Sequence, residues 1–295
     1  MTRASITAAV IAALALSAVA GVVWVRSFAR AFLRVRGRKG AATPSSLGLD
    51  ARSFSVERPG GVVRGWFLPG ASDARPTLVF AHGWQSHASD MLAYARPIVA
   101  AGFHVIVFDT LGHGESDPTE FASARHFTED LLAVWRWAST RHESSPGIAL
   151  GGHSLGGTAA ILAAIEGAVE GLAPRAIVTV GSPSDPVKGT EEWLTRKGYP
   201  GPLMMRAVFP FWRPIIGWER SRLQPLPRMV RLGVPLLVVH GAADRQVGPQ
   251  HARLLAAAGP GARLELLEGA DHWTVPHDPR FGPLVVGFLR EAFER

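Results

Sequence analysis

The sequence predicts an α/β protein: a mostly parallel sheet with helices on both faces, a small lid inserted late in the chain, and one transmembrane helix ahead of it. Three observations carry that expectation. From residue 51 onward, short apolar runs bounded by glycine and proline alternate with helix-length stretches, the pattern of strands joined by helical crossovers. At the centre, Gly152-His153-Ser154-Leu155-Gly156 links a short buried run, Gly147–Gly151, to a helix of small apolar residues, Gly157–Ile165. At the start, Ala4–Val25 is an apolar run broken only by Ser5, Thr7, Ser17 and Gly21.

The N-terminal run would make a helix about 33 Å long, enough to cross a hydrocarbon core of roughly 30 Å. Trp24 lies where an indole favours the interface. Arg26, Arg30, Arg34, Arg36, Arg38 and Lys39 follow, against Arg3 alone in front. That asymmetry predicts a single-pass anchor over residues 1–26, a basic juxtamembrane linker over 27–50 that is flexible from Gly37 to Leu49, and an α/β domain over 51–295 on the cytoplasmic side of the cell membrane. The competing reading is a cleaved secretory signal, for which Ala18-Val19-Ala20 fits a small-x-small site. Val22-Val23-Trp24-Val25 extend the apolar run past that site and favour the anchor.

Composition limits the function. With 295 residues, 47% of them hydrophobic and 19% charged, the chain can bury a large core. It has no cysteine, which excludes disulfides, thiolate ligands and a cysteine nucleophile. The net charge of +7 equals the seven basic residues of positions 1–40, where no acid occurs. Residues 41–295 are therefore formally neutral, and no nucleic-acid partner is expected. The histidines lack paired helical spacing and no Gly-x-Gly-x-x-Gly occurs, so neither a metal nor a dinucleotide or other cofactor is expected.

In order, Ser53–Val56 and Val62–Leu68 read as an antiparallel hairpin turned by Arg58-Pro59-Gly60-Gly61. Thr77–Phe80 is a strand ending in Ala81-His82-Gly83-Trp84; a helix over 88–100 and a strand over Phe103–Phe108 follow. Asp109–Ser116 is a polar loop, and Ala124–Thr140 a helix whose Leu131, Leu132 and Trp135 form its apolar face. After the central serine come strands at Ala176–Val180, Pro235–Val239 and Arg263–Leu267, with helices at Pro249–Ala258 and near Arg280–Phe293.

The central pentapeptide carries the chemistry. A serine set one residue from glycine on either side, at a strand-to-helix junction, suits a sharp turn that lifts its hydroxyl clear of the sheet. Gly152 and Gly156 leave room for the neighbouring strand and helix, and the helix opening at Leu155 aims unpaired N–H groups beside Ser154.

Taken together, His82-Gly83, Asp109…Gly112-His113-Gly114, Gly152–Gly156, His240-Gly241-Ala242-Ala243-Asp244-Arg245 and Ala270-Asp271-His272 resemble the α/β-hydrolase fold family, in that family's order and over residues 50 to 293. The resemblance implies a Ser–Asp–His triad: Ser154 as nucleophile, His272 as general base and Asp244 as the acid that orients it. It also implies an oxyanion hole from the main-chain N–H groups of Trp84 and Leu155. His277 competes with His272, and Asp185 with Asp244. His82, His113 and Asp109 are expected to organise loops, and His153 to pack beside the elbow.

Residues 182–232 form the expected lid, broken into short pieces by Pro200, Pro202, Pro210 and Pro214. Its apolar content predicts an acyl-shaped pocket lined by Met204, Met205, Phe209 and Trp212. The expected activity is that of a membrane-anchored serine hydrolase cleaving a small, lipophilic carboxylic ester, in the manner of a carboxylesterase or lipase. A thioesterase, an acyltransferase, a peptidase or a non-catalytic binding protein of the same fold are the alternatives.

Overall fold

A computed structural model of the chain describes residues 3–37, 40–71, 76–141, 146–229 and 232–294. Arg38 and Lys39 of the basic stretch, and Val230 and Arg231 at the end of the expected lid, lie outside these residues.

The eight expected strands form one sheet: β1 (Arg52–Arg58), β2 (Gly61–Leu68), β3 (Thr77–Ala81), β4 (His104–Asp109), β5 (Ile148–His153), β6 (Ile177–Val180), β7 (Leu236–Gly241) and β8 (Arg263–Leu267). Their spatial order is β1-β2-β4-β3-β5-β6-β7-β8. The β1–β2 and β2–β4 pairs are antiparallel, and every later pair is parallel. The parallel strands are uniformly buried from β3 to β7, because helices cover both faces. On one face Leu78, Phe80 and Val105 pack under α2 (Leu92–Ala100) and α9 (Phe281–Glu294). On the other, Val79, Ile106 and Leu150 pack under α3 (Ala124–Ser139), α4 (Leu155–Val169) and α8 (Gln250–Ala258).

The chain visits both sides of β3, so the strand order reverses there. In open parallel sheets that reversal opens a crevice at the carboxyl ends of the strands. Trp84, Ser154, Asp244 and His272 all lie just beyond such ends, after β3, β5, β7 and β8.

A third apolar cluster stands apart from the sheet and joins the N-terminal helix to the late insertion. It unites α1 (Arg3–Leu33) with the insertion between β6 and β7, which folds as α5 (Pro186–Arg196), α6 (Gly201–Ile216) and α7 (Leu226–Met229). Two expectations change here. The N-terminal helix does not stop at residue 26 before a linker: it runs to Leu33, with Ala29 and Leu33 buried against α6 and Val25, Phe28 and Phe32 packed beside them. At 1.5 Å per residue its 31 residues span roughly 46 Å, more than a hydrocarbon core needs. The surplus is what meets the lid. Beyond it, Ala42 and Leu49 rest on the main core, so these parts of the expected flexible linker are packed on the domain, while Ser45–Leu47 make one tight, exposed turn.

The lid is also less broken than its prolines predict. Pro200 caps α6 and Pro202 sits in its first turn, where a missing N–H costs nothing. Pro210 and Pro214 lie inside the helix. Burial of Met204, Met205, Val208, Trp212 and Ile216 along one face offsets the hydrogen bonds they remove.

Candidate active site

Ser154 lies between β5 and α4 with φ 54° and ψ −122°, a conformation a non-glycine residue holds only at a cost of about 1–3 kcal/mol. Its neighbours impose that turn. The Ser154 N–H donates to the Val180 carbonyl at 2.8 Å, and the Ser154 carbonyl accepts from Gly157 N–H at 3.1 Å. A Cβ at Gly156 would collide with the carbonyl oxygens of Ala81 and His82, and one at Gly152 with the backbone of Gly156. Glycine at both positions is thus a packing requirement, and the serine inherits the strain.

Asp244 follows β7 and is buried. One carboxylate oxygen accepts from the N–H groups of Gln246 at 2.8 Å and Val247 at 2.9 Å, which fixes the turn. The other accepts from His272 Nδ1 at 2.7 Å. It also faces His240 Nε2 at 3.3 Å. Burial disfavours the ionised carboxyl, yet hydrogen bonds from His240 and His272 and the Val247 amide outweigh it and hold the group well below the ordinary carboxylate range. With Nδ1–H committed to Asp244, the Nε2 of His272 is left to accept a proton.

The His272 loop is held from two sides. Asp271 Oδ1 accepts from the N–H groups of Trp273 and Thr274, each at 2.9 Å. His153 Nε2–H donates to the His272 carbonyl at 2.9 Å, and the two rings lie 4.6 Å apart. Burial, with the charge His272 can carry, pushes His153 down to about 3, so it stays a neutral strut.

Ser154 and His272 line one cavity of about 430 Å³, with Trp84 and Leu155 in its wall. The main-chain N–H groups of Trp84 and Leu155 donate to no protein acceptor among the described residues. His82 Nδ1–H donates to the Gly83 carbonyl at 2.7 Å while its Nε2 accepts from Thr110 N–H at 3.0 Å, tying the loop after β3 to the loop after β4. Asp109 braces the same region through the N–H groups of Ala88 at 2.7 Å and Glu115 at 2.9 Å. His113 is buried there, its Nδ1 2.9 Å from the Thr110 hydroxyl.

The competing residues are placed elsewhere. Asp185 caps α5, accepting from Val187 N–H at 2.8 Å and Lys188 N–H at 3.0 Å. His277 sits in the tight turn Val275–His277 and lines no part of the cavity.

Of the four expected pocket residues, only Trp212 lines the cavity. Met204 and Met205 are buried within the cluster that joins the lid to α1, and Phe209 packs on that cluster's flank. They stabilise the lid and do not touch the space beneath it. The wall they were expected to supply comes from α1: Ala31, Phe32 and Leu33, followed by Arg34 and Arg36, face the cavity with Trp193 and Trp273. Phe32 is the keystone, its ring 5.7 Å from Trp193 and 5.1 Å from Trp212. A sequence signal for this existed in the four-residue spacing of Trp24, Phe28 and Phe32, which stack along one helix face. His240, the second neighbour of Asp244, carried no signal beyond its place at a strand end.

With this geometry in place, comparison with known proteins decides the family. The model of the alpha/beta hydrolase family matches residues 78–281. The chain belongs to that family. The hydrolase is 28% identical over 234 residues to a monoacylglycerol lipase of Mycolicibacterium smegmatis, covering 68% of this chain and 82% of the lipase. Among solved structures, the hydrolase resembles the Pyrococcus furiosus esterase Pf2001 with a TM-score of 0.66 at 21% identity, over 87% of this chain and 98% of the esterase. It also resembles a membrane phospholipase A with a TM-score of 0.62 at 20% identity, over 99% of both chains.

Proposed function

We propose that this hydrolase is a membrane-anchored serine esterase acting on a lipophilic carboxylic ester through an acyl-enzyme on Ser154. The observation that carries the reading is the 2.7 Å contact from His272 Nδ1 to Asp244, with the other imidazole nitrogen free and Ser154 in the same cavity. His272 Nε2 takes the Ser154 proton as Oγ attacks the acyl carbon. The oxygen that becomes negative is received by the N–H groups of Trp84 and Leu155, each such donor supplying about 3 kcal/mol. His272 then passes the proton to the leaving alkoxide and activates water to release the acid, while Asp244 stabilises its imidazolium.

The lipophilic substrate is supported by the apolar lining from Phe32, Trp193 and Trp212, and by the names of the monoacylglycerol lipase and membrane phospholipase A relatives. The anchor is supported by α1, whose segment Ser5–Leu33 has a mean hydropathy of 2.5 in its most apolar window and stands clear of the domain along most of its length. The cytoplasmic orientation is supported by the excess of arginines beyond it over the single Arg3 in front.

Labelling with a fluorophosphonate, followed by peptide mapping, is the direct test: the adduct is expected on Ser154 and absent after heat denaturation. Folded protein that hydrolyses nitrophenyl esters but takes no adduct at Ser154 would remove this mechanism. A C-terminal reporter active only in the periplasm would reverse the orientation.

A further inference from the structure

After Leu33 the chain leaves α1 as an extended segment held on both edges. Arg34 pairs antiparallel with Phe121, and the bonds of that pairing run from Val35 N–H to the Glu120 carbonyl at 3.2 Å and from Ala122 N–H to the Leu33 carbonyl at 3.0 Å. In such a pairing the Arg34 carbonyl and the Arg36 N–H point to the opposite edge. Both meet one side chain there. Gln85 Nε2 donates to the Arg34 carbonyl at 3.0 Å, and Gln85 Oε1 accepts from Arg36 N–H at 3.2 Å. The carboxamide stands in for the peptide unit of a neighbouring strand.

Gln85 is also one of two non-glycine residues with positive φ, at 57°, among the described residues; Ser154 is the other. It occupies the third position of a turn closed by Ser86 N–H to the Gly83 carbonyl at 3.2 Å, where glycine is the unstrained choice. A glutamine gives up that ease and gains a reach of three side-chain bonds toward residues 34–36. Val35 adds an apolar contact, packing in the small cluster that contains Trp84, Leu155 and Phe127.

We infer that Gln85 is a positioning residue that clamps the oxyanion loop to the juxtamembrane segment, so that the exit of the membrane helix sets where the Trp84 N–H points. This rests on the serine-esterase reading for its consequence in catalysis, but the clamp itself is a structural claim. The membrane helix then does more than tether the enzyme: its last residues and one carboxamide brace the turn that receives the developing charge. Displacement of an N–H by about an ångström is enough to lower turnover roughly 100-fold.

The test uses the full chain in lipid nanodiscs and a short nitrophenyl ester. Gln85→Ala removes both bonds and Gln85→Gly removes them while relieving the backbone strain. Arg36→Pro deletes the opposing N–H while suiting an extended segment, and Arg36→Ala, which keeps the N–H, controls for loss of the side chain. Expected are a roughly 10- to 100-fold lower kcat in Gln85→Ala, Gln85→Gly and Arg36→Pro, with KM within about threefold. The double variant Gln85→Ala with Arg36→Pro should be no slower than either single one, because both break one link. Hydrogen exchange should show faster exchange of the 34–37 segment in Gln85→Ala. Full turnover in Gln85→Ala, independent losses that multiply, or unchanged exchange would each overturn the inference. If the wild-type chain neither hydrolyses esters nor labels at Ser154, the esterase reading fails, and the exchange experiment still decides the clamp.

Discussion

The sheet and the layer made by α1 with the β6–β7 insertion, the anchor–lid layer of the proposed reading, surround the same cavity but are built in different ways. On the sheet side each functional group sits within a few residues of a strand end, held by hydrogen bonds to its own turn: Asp244 by Gln246 and Val247, the Ser154 turn by Gly157. On the other side nothing local fixes the wall. Phe32 meets Trp193 and Trp212 from positions more than a hundred residues away in sequence, through faces of separate helices. On the proposed reading, the first region specifies chemistry by short-range sterics and the second specifies a surface by long-range packing. The largest effects of mutation are therefore expected at the sheet ends, and graded effects on substrate choice in the anchor–lid layer.

The sharpest way to break that contrast is at the serine. Ser154→Ala should lower kcat by more than about 1,000-fold on every ester, and Asp244→Asn by a comparable factor through loss of the correct His272 tautomer. Steady-state hydrolysis of nitrophenyl acetate and nitrophenyl decanoate checks both. A loss confined to the long ester would mean that the sheet ends recognise substrate and do not carry out the reaction.

The next effect is on stability and belongs to the sheet side alone. Burial pushes His82 down to about 4 and His113 and His153 down to about 3, against an unfolded value near 6.5. These groups are neutral when folded and protonated when unfolded in mild acid, so the unfolded state binds more protons and stability falls as pH drops. The loss begins near pH 6.5 and continues to the folded values. In the middle of that window three such groups together contribute roughly 4 kcal/mol per pH unit. His126, lowered to about 4 by burial, acts in the same direction, while burial raises Asp130 to about 6 and shifts Asp109 upward, so these carboxyls take up protons in the folded state and offset part of the loss. Denaturant titrations between pH 7 and 4.5 should show stability falling as pH drops, and His113→Gln should make that fall shallower by about one proton.

The same division explains what could be read from the sequence. The strands, the crossover helices and the turn at Ser154 were legible, because a strand–turn–helix junction with glycine at 152 and 156 admits few conformations; Asp244 and His272 were implied by the family resemblance and not by any local pattern. The lining of the pocket was not. Met204 and Met205 looked suited to an adaptable acyl site, but composition does not say which face of α6 meets Ala29 and Leu33 and which meets the cavity. Nor does an apolar run announce that its last turns will pack on another helix; Phe28 and Phe32 read as anchor or linker until a partner helix is known. Pro210 and Pro214 misled for a related reason, since a local preference was outweighed by burial of the opposite face.

Phe32→Ala probes the anchor–lid side. Removing a ring packed between Trp193 and Trp212 loses on the order of 1.5 kcal/mol of apolar contact with a long acyl chain. KM for a decanoate ester should rise about tenfold, with a much smaller change for an acetate ester. Equal losses on both would place Phe32 with the chemistry and erase the distinction between the two regions.

The finest test lies within the layer itself. Trp212 does two things: its ring packs on Phe32, and its Nε1–H donates to the Ala29 carbonyl at 2.8 Å, the one side-chain hydrogen bond between α6 and α1 among the described residues. Trp212→Phe keeps an aromatic ring and removes the donor. The Ala29 carbonyl lies inside α1 and retains its helical partner, so no buried acceptor is orphaned and the cost should be near 1 kcal/mol, a fall in melting temperature of about 2–4 °C. If wall shape is what selects the acyl chain, the ratio of decanoate to acetate turnover should stay near that of the unaltered protein while Phe32→Ala shifts it. If instead Trp212→Phe shifts the ratio as far as Phe32→Ala does, the hydrogen bond governs how the lid is docked on α1, and acyl preference follows from the angle between two helices and not from the ring that lines the space between them.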